Sequence, residues 1–353
     1  MTADPVAPPA IPAPAVLPAP AVLPVALVRP PGPARSPAPE PGQERDWVVP
    51  FPLDVRRTLS VHSRGPGDPA YRVDESGAVW RTSLTPDGPA TLRLSARQTQ
   101  AAQGAQPGRG TRILARAWGP GAGWLLDHVP AQLGFADDPA GFAVHHAIVA
   151  ELVLRYEGMR VGRSDRLFEA LVPAVLEQKV VSLEAHRAWR YLVGKHGGPA
   201  PGPAPNGMRV CPAARTWARI PSWDWHRAGV EGVRARTIIT AAEVAGRLEE
   251  TLDLPSAEAD RRLRSLPGIG PWTSAEIRQR AAGDPDAVSV GDYNLPKAVG
   301  WTLARRITDD AAMLELLAPY AGQRYRVTRL IELGGGSPPR RGPRMPVRDY
   351  RSF

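Results

Sequence analysis

The chain is nearly devoid of cysteine, and this scarcity limits the chemistry open to it. Cys211 is the single cysteine among 353 residues. One thiol cannot form an internal disulfide, a four-cysteine iron–sulfur cluster or a cysteine-rich zinc site. We therefore expect no metal cofactor of these kinds, and a protein that works in the reducing cytoplasm.

Long apolar runs are also missing. No stretch approaches the roughly 18 consecutive apolar residues that a membrane-spanning helix requires. The nearest candidate for the core of a signal peptide, residues 21–28, is interrupted by Pro24 and follows no basic region. The sequence therefore predicts neither a membrane span nor a secretion signal.

Lysine is rare, because only Lys179, Lys195 and Lys297 occur among the 44 basic residues. Basic residues exceed acidic ones by nine, which favours polyanionic partners. Arginine binds phosphate through two parallel hydrogen bonds, but a GC-rich genome also enriches arginine. The net charge is therefore better evidence for a polyanionic partner than the preference for arginine over lysine.

The two ends of the chain differ in composition from its middle. Residues 1–43 hold 14 of the 41 prolines and no aromatic residue, and predict a disordered Pro/Ala-rich tail. Residues 334–353 hold five arginines among glycine and proline, and predict a disordered basic tail with nonspecific affinity for a polyanion such as DNA.

Between the tails the pattern changes from strand-like to helix-like, so the predicted fold class is α+β. Residues 44–140 predict an antiparallel sheet domain, and residues 141–333 predict an all-α domain. In the first domain we expect a loop at 98–110, a helix at 123–133, and strands at 71–74, 78–82, 90–94 and 111–118. In the second we expect helical segments at 142–156, 168–193, 233–252, 263–282, 293–307 and 313–333.

The most informative stretch runs from residue 266 to residue 292. The turn Gly268-Ile269-Gly270 joins two helical segments and presents backbone N–H groups at the positive end of the second, which suits a phosphate. A Gly-x-Gly tripeptide alone is more often an ordinary turn. Asp292, twenty residues after Trp272, precedes another helical segment and is expected to face the same region.

Two segments carry a resemblance to a known family. Residues 266–273 read Leu-Pro-Gly-Ile-Gly-Pro-Trp-Thr, and residues 291–298 read Gly-Asp-Tyr-Asn-Leu-Pro-Lys-Ala. At this separation they resemble the helix-hairpin-helix base-excision DNA glycosylases, specifically the alkylated-base branch of the 3-methyladenine II type. A weaker match at residues 165–180 is similar to the segment that opens the helical domain of that family. The resemblance covers about residues 161–333.

The resemblance implies that Asp292 is the catalytic carboxylate. Breaking an N-glycosidic bond builds positive charge on the sugar, and a fixed carboxylate stabilises that charge and orients or deprotonates water. An aspartate in front of a helix is also an ordinary N-cap, a role that is compatible with catalysis. A protein that only binds DNA needs no acid at this position.

The resemblance also implies a pocket for a base flipped out of the duplex. Trp272 matches a pocket aromatic of the alkylated-base branch, and Glu276 and Tyr293 are the other residues expected to bind the substrate base. Lyase-active relatives carry a lysine at the position of Trp272, so the resemblance implies hydrolysis without strand cleavage. Glu276 and Glu332 stand where that branch often has aromatic residues. Carboxylates there favour a cationic methylated purine or indicate a different lesion.

The expected DNA-binding residues are Gly268, Ile269, Gly270, Thr273, Gln178, Lys179 and Lys297. The hairpin residues are expected to hold a phosphate through their backbone, and Lys297 suits a further phosphate. Gln178 and Lys179 match the wedge loop that fills the space left by the flipped base. Lys179 stands where an apolar wedge is expected, and Gln178 has the alternative role of bonding the orphaned partner base.

The sequence thus predicts a monofunctional DNA glycosylase that removes damaged, alkylated purines from double-stranded DNA. We expect a cytoplasmic, nucleoid-associated monomer without membrane contact, catalytic metal or iron–sulfur cluster. A structural monovalent cation at the hairpin is compatible with this prediction. Two alternatives stay open, namely a noncatalytic DNA-binding protein that keeps the hairpin, and a glycosylase for deaminated bases such as hypoxanthine or uracil.

Overall fold

The computed structural model describes residues 42–100, 109–137, 139 and 141–339. Residues 1–41 and 340–353 of the two predicted tails lie outside the described residues, as do residues 101–108 of the predicted loop. None of the described helices is both long and apolar enough to cross a membrane.

Five strands form an antiparallel sheet in the order β1-β5-β4-β3-β2. Their bounds are β1 (Gln43–Val49), β2 (Tyr71–Val73), β3 (Val79–Thr85), β4 (Gly88–Gln100) and β5 (Arg109–Trp118). Each of the four predicted strands is confirmed, including the hairpin that turns at Gly77, where φ is +81°. Strands β4 and β5 extend further into the predicted loop than expected, because they pair with each other as far as Gln100 and Arg109.

The edge strand β1 has no counterpart among the predicted strands. Its first residues are polar and only Val49 is buried, so no alternation marks it in the sequence. Backbone pairing with β5 holds it in place, with Trp47 opposite Ile113. An ion pair between Asp46 and Arg112 (2.7 Å) crosses the same two strands. Charged side chains on an edge strand also hinder pairing with other chains.

The sheet packs against α2 (Ala122–Gln132), which confirms the helix predicted at 123–133. Leu92 and Ile113 of the sheet and Val129 of α2 lie in one core, each at most 1% exposed. Burying a side chain of this size contributes about 1.5–3 kcal/mol. This core supports the sheet region.

The remaining chain is mostly helical. The other helices are α1 (Val55–Leu59), α3 (Ala147–Arg155), α4 (Leu167–Leu176), α5 (Ser182–His196), α6 (Ala214–Trp217), α7 (Ser222–Ala228), α8 (Gly232–Glu243), α9 (Ala245–Glu249), α10 (Ser256–Arg264), α11 (Pro271–Ala281), α12 (Leu295–Ala304), α13 (Asp310–Leu317) and α14 (Arg324–Gly334). Two short strands, β6 (Gly198–Pro199) and β7 (Arg209–Val210), pair between α5 and α6.

The structure divides three of the predicted helical segments, and 168–193, where one or two helices were expected, becomes α4 and α5. The segment 233–252 becomes α8 and α9, because the backbone leaves the helical region at Val244 (φ −115°, ψ 16°). The segment 313–333 becomes α13 and α14, with Pro319 and a left-handed Gly322 between them. Helix α3 begins at Ala147, five residues later than the predicted start at 142.

Helix α4 is apolar apart from Glu169 and lies at the centre of the helical region. Nine of its ten residues are buried. It packs against α5, α8 and α11. Because α4 ends at Leu176, it brings Gln178 and Lys179 to the turn that follows, next to the start of α11.

Buried polar groups connect the sheet with α4. Arg81 of β3 donates to Gln132 of α2 (2.7 Å) and is paired with Glu169 of α4 (3.5 Å). The other oxygen of Glu169 accepts a hydrogen bond from Ser83 (2.6 Å). These contacts join the sheet to the helices, and the domain boundary at residue 140 stays a prediction.

Candidate active site

The predicted hairpin joins α10 to α11, and Gly268 sets its shape. Gly268 has a φ of +86°, and a Cβ atom there would lie 2.0 Å from Thr237 Oγ1, so only glycine fits. Gly270 is the N-cap of α11 and offers no side-chain acceptor. The first N–H groups of α11 therefore have no partner within the helix or from its cap. They are well placed to bind an anion.

Two other residues that were predicted to bind DNA support the hairpin from the protein core. The side chain of Ile269 is only 5% exposed and lies in the core around α4, so only its backbone is available to a ligand. Thr273 is equally buried, and its hydroxyl accepts a hydrogen bond from Gln178 (2.9 Å). Both side chains therefore support the hairpin.

The turn after α4, which was predicted to carry the wedge, is tied to the hairpin through Gln178. The side-chain amide nitrogen of Gln178 donates to the carbonyl of Gly268 (2.8 Å) and to Thr273 Oγ1 (2.9 Å). Both N–H groups are thereby used, which leaves only the amide oxygen for a partner base. Lys179 is exposed and has a left-handed backbone, with φ at +55°. Such strain in a residue other than glycine is often found at functional sites.

Asp292 lies at the start of α12, where three N–H groups donate to its carboxylate. Oδ1 accepts from the backbone of Asn294 (2.7 Å) and Leu295 (2.8 Å), and Oδ2 accepts from the indole Nε1 of Trp272 (3.0 Å). Pro296 occupies the second position of the helix, as expected. Asp292 thus makes the hydrogen bonds of a helix cap while touching the first turn of α11.

Tyr293 and Lys297 contact each other at the start of α12. The ring of Tyr293 is 70% exposed, and the Lys297 ammonium is 3.3 Å from its centroid. The lysine covers one face of the ring in a cation–π contact. The two residues therefore form one partly exposed patch, and Tyr293 follows Asp292 directly in the chain.

Glu276 lies one turn beyond Trp272 on the same side of α11. Its oxygens accept hydrogen bonds from Ser289 (2.6 Å) and Arg280 (2.6 Å). A cation already neutralises this carboxylate, so Glu276 carries no unpaired charge for a cationic base. Glu276 is therefore a fixed, ion-paired residue that lies between Trp272 and Arg280 on α11.

Two small cavities lie elsewhere, around Arg81. The larger has a volume of about 30 Å³ and is lined partly by His62, Glu169 and Cys211. Its size suits one or two water molecules. Within the described ranges, no group of three or more His, Cys, Asp or Glu side chains is arranged to hold a metal ion.

No family model matches the chain. Over 179 residues it is 32% identical to the probable bifunctional transcriptional activator/DNA repair enzyme AlkA of Mycobacterium tuberculosis, strain CDC 1551 / Oshkosh. The match covers 48% of this chain and 35% of the relative, and the protein of strain H37Rv matches equally. The chain therefore spans about a third of the length of these curated relatives.

Solved structures match over most of the chain. The 3-methyladenine DNA-glycosylase of Archaeoglobus fulgidus is similar, with a TM-score of 0.64 and 17% identity, covering 81% of this chain and 97% of that one. The chain has the fold of the helix-hairpin-helix DNA glycosylases. The 8-oxoguanine glycosylase/lyase of Clostridium acetobutylicum shares this glycosylase fold, with a TM-score of 0.60 and 12% identity over 83% of this chain and 96% of that one. The fold that the resemblance implied is confirmed.

Within this glycosylase fold, sequence reasoning missed the residues that link α11 and α14 to the sheet region. Arg280 Nε donates to the carbonyl of Val61 (2.9 Å), and Arg329 of α14 donates to Ser60 Oγ (2.6 Å). Arg280 follows Glu276 by one turn, so helical spacing alone places it on the same side of α11. No local pattern marks residues 60–62, since their partners lie more than 200 residues away.

Proposed function

We propose that the chain is a DNA glycosylase that hydrolyses the N-glycosidic bond of damaged purines, above all alkylated ones. The observation that carries the proposal is the hydrogen bond between Trp272 and Asp292. It joins the carboxylate to the helix that follows the hairpin. The turn that would bind a phosphate, the aromatic Trp272 and the carboxylate of Asp292 then lie close together.

The chemistry needs an anion that is fixed before charge develops. As the glycosidic bond breaks, positive charge builds on the sugar, and the carboxylate of Asp292 stabilises it. Three N–H donors orient the carboxylate, so little reorganisation is required. The carboxylate also orients the attacking water, or accepts its proton.

Hydrolysis without strand cleavage is the second part of the proposal. A lyase needs an amine that attacks the sugar, and Trp272 occupies the place where lyase-active relatives have a lysine. Lys195 donates to Asp224 (2.5 Å), and Lys297 rests on the ring of Tyr293. Borohydride treatment during turnover is expected to trap no covalent complex between protein and DNA. A trapped complex would contradict this part of the proposal.

We further propose that the substrate is double-stranded DNA and that the protein acts as a cytoplasmic, nucleoid-associated monomer. The similar C. acetobutylicum enzyme is described in complex with double-stranded DNA. In this chain, Gln178 ties the loop that carries Lys179 to the phosphate-binding turn. A wedge residue held next to the turn that binds the DNA backbone suits a duplex better than a single strand, because in a duplex it fills the space left by the flipped base.

The test is base release from methylated duplex DNA, followed by mild alkali to cut abasic sites. We expect release of 3-methyladenine and 7-methylguanine, with strand breaks only after alkali. Breaks before alkali would overturn the monofunctional proposal. Binding without release from methylated, hypoxanthine-containing or uracil-containing duplexes would favour a noncatalytic DNA-binding protein. Release confined to the deaminated bases would favour the alternative lesion class.

A further inference from the structure

Residues 289–292 form a tight turn in front of α12, and Asp292 is its last residue. The backbone N–H of Asp292 donates to the carbonyl of Ser289 (3.2 Å), and Gly291 has a left-handed backbone with φ at +92°. Helix α12 begins only at Leu295, so Asp292 lies outside the helix. The position of its backbone therefore depends on the contacts that hold the turn.

Helix α11 holds the first end of the turn through buried polar groups. The side chain of Ser289 is buried, and its hydroxyl donates to Glu276 Oε1 (2.6 Å). The same hydroxyl accepts from Nε2 of Gln279 (3.0 Å), which also donates to the carbonyl of Ala287 (2.9 Å). Three hydrogen bonds thus fix this end of the turn to α11.

Glu276 is itself fixed by Arg280. Its Oε2 accepts from Arg280 Nη1 (2.6 Å), and both side chains are mostly buried. Arg280 Nε donates in turn to the carbonyl of Val61, which joins the cluster to the sheet region. A buried polar network of this kind restricts the positions of its members. The place of Ser289 is therefore set by contacts that extend well beyond the turn.

Helix α13 holds the other end of the turn. Asp310 is the first residue of α13, and both of its carboxylate oxygens accept from the backbone N–H of Gly291 (3.1 Å each). A negative charge at this helical position is favoured by the helix dipole in any protein. The bond to Gly291, however, reaches outside the helix. It holds the residue that directly precedes Asp292.

We propose that Glu276 and Asp310 are positioning residues, which hold the turn at residues 289–292 so that the carboxylate of Asp292 is fixed before charge develops on the sugar. This inference rests on the proposed glycosylase function. It gives Glu276 a role through Ser289 in place of contact with the substrate base. A displacement of about 1 Å in a reacting group costs up to about 100-fold in rate, so loosening either end of the turn slows base release.

The contact of Asp310 is tested by comparing Asp310→Ala with Asp310→Asn in the full chain. Asparagine keeps an oxygen that accepts from Gly291, and alanine does not. Both changes remove the charge at the start of α13. We expect Asp310→Ala to lower the single-turnover rate of base release from methylated duplex DNA by about tenfold, and Asp310→Asn to stay within about threefold of the wild type.

Asp309→Ala is the matched control on the same helix. Asp309 is the N-cap of α13 and accepts from the backbone of Ala312 (2.9 Å). Its loss should lower the melting temperature and leave the release rate unchanged, since the contact between Asp310 and Gly291 remains. Stability and rate are thereby separated.

The contact of Glu276 is tested by Glu276→Gln. Arg280 can only donate, so it holds the amide oxygen, and the amide N–H2 group faces Ser289, whose hydroxyl proton loses its acceptor. We expect release of 3-methyladenine and of 7-methylguanine to slow equally, by about fivefold, because Asp292 acts on the sugar that both nucleotides share. Affinity for duplex DNA should not change.

The outcomes separate this inference from the function on which it rests. Wild-type rates in Asp310→Ala and Glu276→Gln would overturn the positioning roles while leaving the glycosylase proposal intact. Equal losses in Asp310→Ala and Asp310→Asn would assign the effect to the charge at the start of α13, and an altered ratio of released bases in Glu276→Gln would mean that Glu276 contacts the base. Either result contradicts the inference.

If the wild-type protein releases neither base, the proposed function fails and this inference fails with it. A rate loss in Asp310→Ala that Asp310→Asn and Asp309→Ala do not share supports both proposals. The Asp310 pair decides the question even if Glu276→Gln does not fold.

Discussion

At the scale of single residues, the proposed function gives the Trp272 indole two separable roles. In the proposal its ring stacks on the flipped base, and in the structure its N–H donates to Asp292 (3.0 Å). Phenylalanine keeps an aromatic ring and loses only the donor. The relevant comparison is therefore between two aromatic side chains at one position.

We predict that Trp272→Phe lowers the single-turnover rate of base release by about 10- to 100-fold. A hydrogen bond to a charged group contributes about 1.5–3 kcal/mol, and 1.4 kcal/mol corresponds to about tenfold in rate. Affinity for duplex DNA should change little. Trp223→Phe, in an exposed side chain of α7, is the matched control. An unchanged rate in Trp272→Phe would exclude a catalytic contribution of the hydrogen bond.

At the scale of elements, the hairpin contains two glycines with different physical requirements. Gly268 has a left-handed backbone and faces Thr237, whereas a Cβ atom on Gly270 would meet nothing within 4 Å. Replacing glycine by alanine is therefore expected to strain the backbone at Gly268 and to be accommodated at Gly270.

We predict that Gly268→Ala lowers the free energy of unfolding by about 1–2 kcal/mol or more, and weakens duplex binding because the turn must distort. Gly270→Ala should change the free energy of unfolding by less than about 0.5 kcal/mol. Urea denaturation of the two variants measures the difference. Equal losses of stability would mean that backbone strain does not distinguish the two positions.

Helices α5 and α7 are joined through the buried side chain of Asp224. Its carboxylate accepts from Lys195 (2.5 Å) and Tyr191 (3.2 Å) and lies 3.0 Å from His196 Nε2. Burial raises the pKa of Asp224, but the hydrogen bonds and charge of Lys195 outweigh burial and hold the pKa below its usual value.

We predict that this contact stabilises the fold at neutral pH and fails in acid. Because the folded pKa lies below the unfolded one, the stabilisation is complete above about pH 4 and is lost as the pH falls through the folded pKa. Asp224→Asn should lower the free energy of unfolding at pH 7 by about 2 kcal/mol. The deficit relative to wild type should shrink in acid. A deficit that stays constant with pH would show that the charge of Asp224 is not responsible.

At the scale of the whole molecule, local patterns predicted the order of sheet and helices and the place of the hairpin. The turn at Gly268 and the aspartate before α12 are visible because short-range spacing fixes them. Strand β1 was missed because its residues are mostly polar, and its stability depends on pairing with β5, more than 60 residues away.

The candidate site shows the same limit of prediction from local sequence patterns. The residue types at Glu276, Glu332 and Gln178 are visible in the sequence, but their partners are not. Arg280 lies close to Glu276 in the chain, yet Ser289 and the hairpin carbonyl that binds Gln178 become neighbours only in the folded protein. Whether a carboxylate is free or neutralised therefore depends on tertiary contacts.

The central claim is that Asp292 acts on the glycosidic bond and not merely as a helix cap. The most direct test is single-turnover release of 3-methyladenine from methylated duplex DNA by the wild type and by Asp292→Asn. Asparagine keeps a side-chain oxygen that can accept from the backbone of α12, so the fold and the affinity for DNA should persist. Asp87→Asn, in the exposed turn between β3 and β4, is the matched control.

We predict that Asp292→Asn lowers the release rate at least 100-fold with little change in duplex affinity, because removing a charge that stabilises the transition state typically costs several kcal/mol. Asp87→Asn should match the wild type. A release rate in Asp292→Asn within about threefold of the wild type, at equal DNA binding, would contradict the account.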